Sequence, residues 1–279
     1  SDRWQFADGQ LELLDGAKAK ARDAGLWNFF LPDAETGEGL SNLDYAYIAA
    51  ELGKNPLAAE CLNCSAPDTG NMEVLERVGT PEQKERWLTP LLNGEIRSAF
   101  AMTEPDVASS DAKNVATRAE LDGDEGLING QKFYSTGALF AHWVAVKALD
   151  DEGRQVMAFV RRGTPGLRIV DDWSGFGQRT TASGTVLLNN VPVDADLVVP
   201  TWRLGQTPGI QGAVSQLIQA AIDAGIARGA LDDTISFVRE RARPWIDAKV
   251  KRASDDLYVI ADIGKLKIEL HAAEALLRK

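Results

Sequence analysis

The stretch Ala101-Met102-Thr103-Glu104-Pro105-Asp106-Val107-Ala108-Ser109-Ser110-Asp111 stands where the texture of the sequence changes. Before it, apolar residues recur at helical steps; after it, short alternating runs are separated by Gly- and Asp-rich turns. Small and hydroxyl residues dominate the stretch, and their backbone amides are free to point outward. Such a loop can hold the pyrophosphate or sugar-alcohol oxygens of a cofactor through amide and hydroxyl donors. It can also be a hydrophilic loop closed by ordinary Ser/Thr turn bonds. On chemistry alone the plainer reading leads.

Upstream, residues 1–97 read as a helical domain. Leu11, Leu14, Ala17 and Ala21 recur at three- and four-residue steps, the spacing that gives a helix one apolar face. After a turn-rich break from Pro32 to Gly39, Ser41 opens a second helix that carries Leu43, Tyr47 and Ala50 and stops at Gly53. Thr80-Pro81-Glu82-Gln83 opens a third, which ends near Asn93-Gly94. Thr80 can accept from the third helical amide, Pro81 suits the first helical position, and Gln83 can reach back.

Downstream, residues 98–205 read as β. Ala116–Leu121 and Leu127–Phe133 form a hairpin across a longer Asp122–Gly126 loop, and runs at 143–148, 156–160 and 185–188 add three strands. Strands joined by turns without helices between them predict an antiparallel barrel or sandwich. From 206 to 279 the helical period returns. Val214, Leu217, Ile218, Ala221, Ile222, Gly225, Ile226 and Gly229 keep one stripe with small residues suited to close helix contact. A second helix runs from about Asp255 through Leu257, Ile260, Ile263, Leu270 and Leu276. Such a pair needs further helices to cover it, so the sequence reads as stopping inside a helical domain.

Composition narrows the function classes. The 279 residues are 44% hydrophobic and 25% charged, a globular balance. The net charge of −11, without a basic block, excludes a phosphate-tracking nucleic-acid binder. No apolar run reaches membrane-span length. Two cysteines and the absence of a signal pattern point to a reducing, cytoplasmic setting. Cys61 and Cys64 form a lone C-x-x-C, read as two buried helical cysteines. Two histidines, His142 and His271, are too few for a His-rich metal site, and no metal is expected.

The Thr103-Glu104-Pro105 loop followed by Ser110-Asp111 resembles the flavin-binding signature of the acyl-CoA dehydrogenase family. Asn129-Gly130-Gln131-Lys132-Phe133-Tyr134-Ser135-Thr136-Gly137 is similar to that family's second flavin segment. Gly177–Thr181 with Val191-Pro192-Val193 resembles its late barrel element. The resemblance covers essentially the whole chain. It implies an α+β fold: an N-terminal helical domain, a middle antiparallel β-barrel and a truncated C-terminal helical bundle.

Carried over residue by residue, the resemblance sets Phe100, Met102 and Thr103 along the isoalloxazine. It directs Ser109 or Ser110 to the flavin phosphate and puts Tyr134 where the family usually has Trp. Ser135 and Thr136 fall near N5 or O4. The two halves resemble different branches. Residues 1 to about 120 look like dehydrogenases of acyl-CoA thioesters, which use FAD. From about Lys132 onward, and at Arg241-Ala242-Arg243-Pro244-Trp245, the chain resembles monooxygenases of the dibenzothiophene type, in which Arg243 corresponds to an arginine that contacts the FMN phosphate.

The implied function is therefore FAD-linked α,β-dehydrogenation of an acyl-CoA thioester. The alternative is FMN-dependent oxygenation of a small organosulfur compound, and a third reading is an inactive recombined or designed scaffold. The family's carboxylate base falls past Lys279, Glu104 reads as structural, and the monooxygenase branch's histidine positions are not filled. No catalytic residue is therefore assigned. A homo-oligomer is expected where the helical bundle is completed, with a loosened flavin site and exposed apolar faces where it is not.

Overall fold

In the computed structural model the described residues are 4–107, 111, 114–206 and 208–279. Helices α1 (Gln10–Asp23), α2 (Asn42–Gly53), α3 (Ala58–Cys61), α4 (Asp68–Val78), α5 (Pro81–Gln83) and α6 (Thr89–Leu92) come first. Strands β1 (Ser98–Ala101), β2 (Arg118–Asp122), β3 (Glu125–Lys132), β4 (Trp143–Leu149), β5 (Gln155–Arg161), β6 (Leu167–Val170), β7 (Thr185–Asp194) and β8 (Val198–Val199) follow. Two long helices, α7 (Gln211–Glu240) and α8 (Leu257–Leu277), come last. The chain divides into two compact units, one of residues up to Leu13 with Asn63–Gly209, the other Leu14–Leu62 with Ile210–Lys279.

In the first unit the strands form one sheet in the order β6-β7-β3-β2-β4-β5-β8, with β1 on β4. The pairing is mainly antiparallel, but β1 and β2 both meet β4 in parallel, which amends the expected all-antiparallel pattern. β1 enters from a helix rather than a hairpin, so no tight turn dictates its direction. β6 and β8 are too short to show an alternation in sequence. The β2–β3 hairpin is also tighter than expected. Asp122 pairs with Glu125, leaving only Gly123 and Asp124 in the turn, with Gly123 at φ 65°. Gly126 belongs to the strand, where a Cβ would come within 2.4 Å of the Glu120 carbonyl.

Helices close over this sheet through named contacts. Thr80 and Gln83 form the expected capping box. The helix then passes through a π-helical turn at Lys84–Leu88, which brings Trp87 flat onto Phe159 of β5 at 4.4 Å. Gln83 donates to the carbonyls of Asp196 and Val198. Asp68 at the start of α4 accepts from Arg97 Nε, Ser98 N and Ser98 Oγ, each at 2.6 Å, and so fixes the entry of β1.

In the second unit Ser41 opens α2, as the sequence predicts, and Asp44 completes the cap reciprocally. α2 packs on α7 at glycine positions. A Cβ on Gly225 would lie 2.0 Å from the Ala50 carbonyl, and one on Gly53 2.5 Å from that of Ile222. Arg228 of α7 holds Glu274 of α8 through Nε at 2.6 Å. The expected exposed apolar faces are present: Leu257, Tyr258, Ile268 and Leu276 of α8 are 72–85% exposed. The cysteines depart from expectation. Cys61 is half-buried at the end of α3, and Cys64 is buried but lies beyond that helix.

Candidate flavin site

The loop leaving β1 is stitched to the end of β3. The Glu104 carboxylate accepts from Ala116 N at 2.7 Å, Thr117 N at 2.9 Å, Thr117 Oγ1 at 2.6 Å and Lys132 Nζ at 2.8 Å. These donors outweigh the burial that opposes ionisation and hold its pKa down to about 2. Lys132 is fully buried. Desolvation pulls its pKa down while Glu104 pulls it up, and its ammonium also donates to the Met102 carbonyl at 3.1 Å. Phe133 N donates to the Thr103 carbonyl at 3.0 Å. Gly130 lets the strands close here, since a Cβ would meet Thr117 Oγ1 at 2.3 Å.

Met102 and Thr103, both half-buried, are thereby brought beside the segment that contains Tyr134, Ser135 and Thr136. Phe100 lies in β1, half-buried and paired with Ala145. Tyr134 takes the left-handed conformation at φ 52° and is 59% exposed. Its ring packs against Phe133 at 4.2 Å and edge-on to Trp173 at 5.6 Å. Ser135 is fully buried, and its hydroxyl has no partner among the described residues. Thr136 is half-buried, with its oxygen accepting from Ser183 Oγ at 3.2 Å.

Ser109 and Ser110 lie outside the described residues. Arg243 is exposed and belongs to the second unit. His142 is exposed, and its Nδ1 accepts from Arg97 N at 2.9 Å, a satisfied structural partner. Among the described residues no cluster of His, Cys, Asp and Glu could hold a metal ion. No helix among them is long and apolar enough to cross a membrane.

The segment at 172–184, whose resemblance to the monooxygenase branch runs from Asp171 to Thr181, also builds this site and extends it to Gly184. Ser135 N donates to the Gly184 carbonyl and Gly137 N to that of Thr181. Trp173 Nε1 donates to the Gln178 carbonyl at 2.8 Å. Ser183 carries no signal in the sequence, because one serine in a Thr/Ser/Gly run forms no pattern. A buried hydroxyl without a partner costs about 1–3 kcal/mol. Ser135 with its unmet hydroxyl, Thr136 beside it and the aromatic surface of Tyr134 fit the polar edge and ring of a flavin.

Three family models cover the chain in order: acyl-CoA dehydrogenase N-terminal domain at residues 3–95, middle domain at 99–191 and C-terminal domain at 217–279. Human acyl-CoA dehydrogenase family member 11 is 40% identical over 262 residues, which is 90% of this chain and 32% of that protein. The chain thus spans about a third of the curated relatives it matches. A solved protein of Mycobacterium abscessus, assigned as an acyl-CoA dehydrogenase, superposes with a TM-score of 0.85 at 38% identity, covering 99% of this chain and 68% of its own. TdsC from Paenibacillus sp. A11-2, solved with FMN and indole, is 26% identical with a TM-score of 0.70, covering 95% and 68%. On the order of its three domain matches and its likeness to these proteins, the chain belongs to the acyl-CoA dehydrogenase family.

Proposed function

We propose that the chain is the flavin-binding part of an FAD-linked oxidoreductase that dehydrogenates an acyl-CoA thioester between Cα and Cβ. The reading divides the chain at 97/98 and 205/206, each inside a gap between consecutive domain matches. The observation that carries it is the Glu104–Lys132 clamp, which sets the Met102–Thr103 backbone beside Tyr134 and Thr136.

FAD supplies the hydride acceptor when bound. The chain's residues supply its surroundings. Tyr134, braced by Trp173 and Phe133, offers an aromatic wall. Thr136 and Ser135 offer hydroxyl donors to the polar edge, where donors favour negative charge. Phe100, Met102 and Thr103 line the loop side, and Ser109 or Ser110 reaches the phosphates. Glu104 is not the base that removes the α-proton: its four donors keep it ionised and remove its basicity.

FMN-dependent oxygenation of a small organosulfur compound is the second reading. It is favoured by the likeness to TdsC with FMN and by Arg243, whose guanidinium suits a phosphate. Self-association through α7 and α8 is supported by their exposed apolar residues, and a cytoplasmic setting by two free cysteines.

A visible absorption spectrum with added FAD, then FMN, tests the proposal. Sharpened flavin bands mean a working pocket, and preference for one flavin selects a branch. Fast oxygen uptake by the reduced complex favours the second reading. A protein that stays colourless with excess flavin overturns both.

A further inference from the structure

Behind Thr136 lies a short chain of hydroxyls. Ser183 is buried at 5% exposure, and its Oγ donates to Thr136 Oγ1 at 3.2 Å. Thr181 Oγ1 lies 2.7 Å from Ser183 Oγ and 3.1 Å from the Gln178 carbonyl. Each hydroxyl has one hydrogen. Ser183 gives its hydrogen to Thr136, so the Thr181–Ser183 contact is filled by the hydrogen of Thr181. That leaves the Gln178 carbonyl without Thr181 Oγ1, at small cost, because the carbonyl still accepts from Trp173 Nε1 at 2.8 Å and Thr181 N at 3.3 Å. The chain of donors thus runs Thr181 to Ser183 to Thr136. The hydrogen of Thr136 has no acceptor among the described residues.

We infer that Ser183 is a positioning residue that fixes the Thr136 hydroxyl as a donor toward the bound flavin, so that the atom it meets must be a hydrogen-bond acceptor on the flavin's polar edge. This rests on the flavin-site reading above. Without Ser183, Thr136 can turn its hydrogen inward or rotate, and the donor is lost part of the time. Ser183, 5% exposed, is assigned no flavin contact of its own. Its effect passes through Thr136 alone.

The test is flavin titration of the full chain, wild type against Ser183→Ala, Ser183→Thr, Thr136→Val and the Ser183→Ala/Thr136→Val pair, read by fluorescence quenching and by the bound flavin's absorption bands. Ser183→Ala is expected to weaken flavin binding about 3- to 10-fold and shift the bands, the size of one hydrogen bond. Ser183→Thr restores both. In the Thr136→Val background the Ser183 change has no further effect. The apo-protein's melting temperature controls for misfolding. A Ser183→Ala protein that melts like wild type and binds flavin equally well overturns the inference, as does full additivity with Thr136→Val. Wild-type protein that binds no flavin overturns the site reading itself and this assignment with it.

Discussion

Lys132 Nζ lies 2.8 Å from Glu104 Oε1, with the two side chains 0% and 6% exposed, so the loop after β1 is pinned to β3 by a charge pair removed from water. Breaking such a pair leaves a buried charge without compensation, which costs about 3–5 kcal/mol. Glu104→Gln is expected to destabilise the protein by that amount and to weaken flavin binding. Glu104→Gln/Lys132→Met, which removes both charges, should recover part of the loss. Urea unfolding of the three proteins checks this.

The same carboxylate sets an acid limit. Its pKa is lowered from the ordinary 4.5 to about 2 by Lys132, Thr117 and Ala116. Its stabilising contribution is therefore complete above about pH 4.5 and is lost as the pH falls toward 2, roughly 3 kcal/mol in all. The melting temperature of the wild type should fall more steeply between pH 4.5 and 3 than that of Glu104→Gln.

Two helix glycines predict opposite signs. Gly225 faces the Ala50 carbonyl at 2.0 Å from a built Cβ, so Gly225→Ala must push α2 and α7 apart and should cost about 2–4 kcal/mol. Gly264, inside α8, has nothing within 4 Å, and Gly264→Ala should stabilise by about 0.5–1 kcal/mol. Thermal melts of both variants decide it.

Trp87 is fully buried, yet its indole N–H has no partner among the described residues. Trp87→Phe loses area and stacking on Phe159 but removes an unmet donor worth about 1–3 kcal/mol. The net cost should stay under about 2 kcal/mol, well below the 3–5 kcal/mol typical of Trp→Ala in a core. Denaturant midpoints of Trp87→Phe and Trp87→Ala give the comparison.

Local signals carried much of this fold into view. Ser41 and Thr80 announced their helices because a cap is a short-range bond between residues three apart. The stripe around Gly225 was legible because helical spacing puts small residues on one face. The parallel seat of β1, by contrast, depends on Asp68, about thirty residues away in the chain, which no local pattern encodes. The site divides in the same way. Lys132, Tyr134 and Thr136 sit inside a recognisable motif. Ser183 acquires a role only when the fold carries it to Thr136, 47 residues distant.

The glycine contact between α2 and α7 has a consequence for synthesis. α2 emerges from the ribosome ahead of residues 63–209, and the helix that buries it follows only after they have been made. The first unit can close on its own sheet while Tyr45, Ala46 and Ala49 still wait for their cover. Folding of the second unit is thus tied to a segment that is translated only after residues 63–209. Until α7 arrives, α2 is a sticky segment that a chaperone would find first.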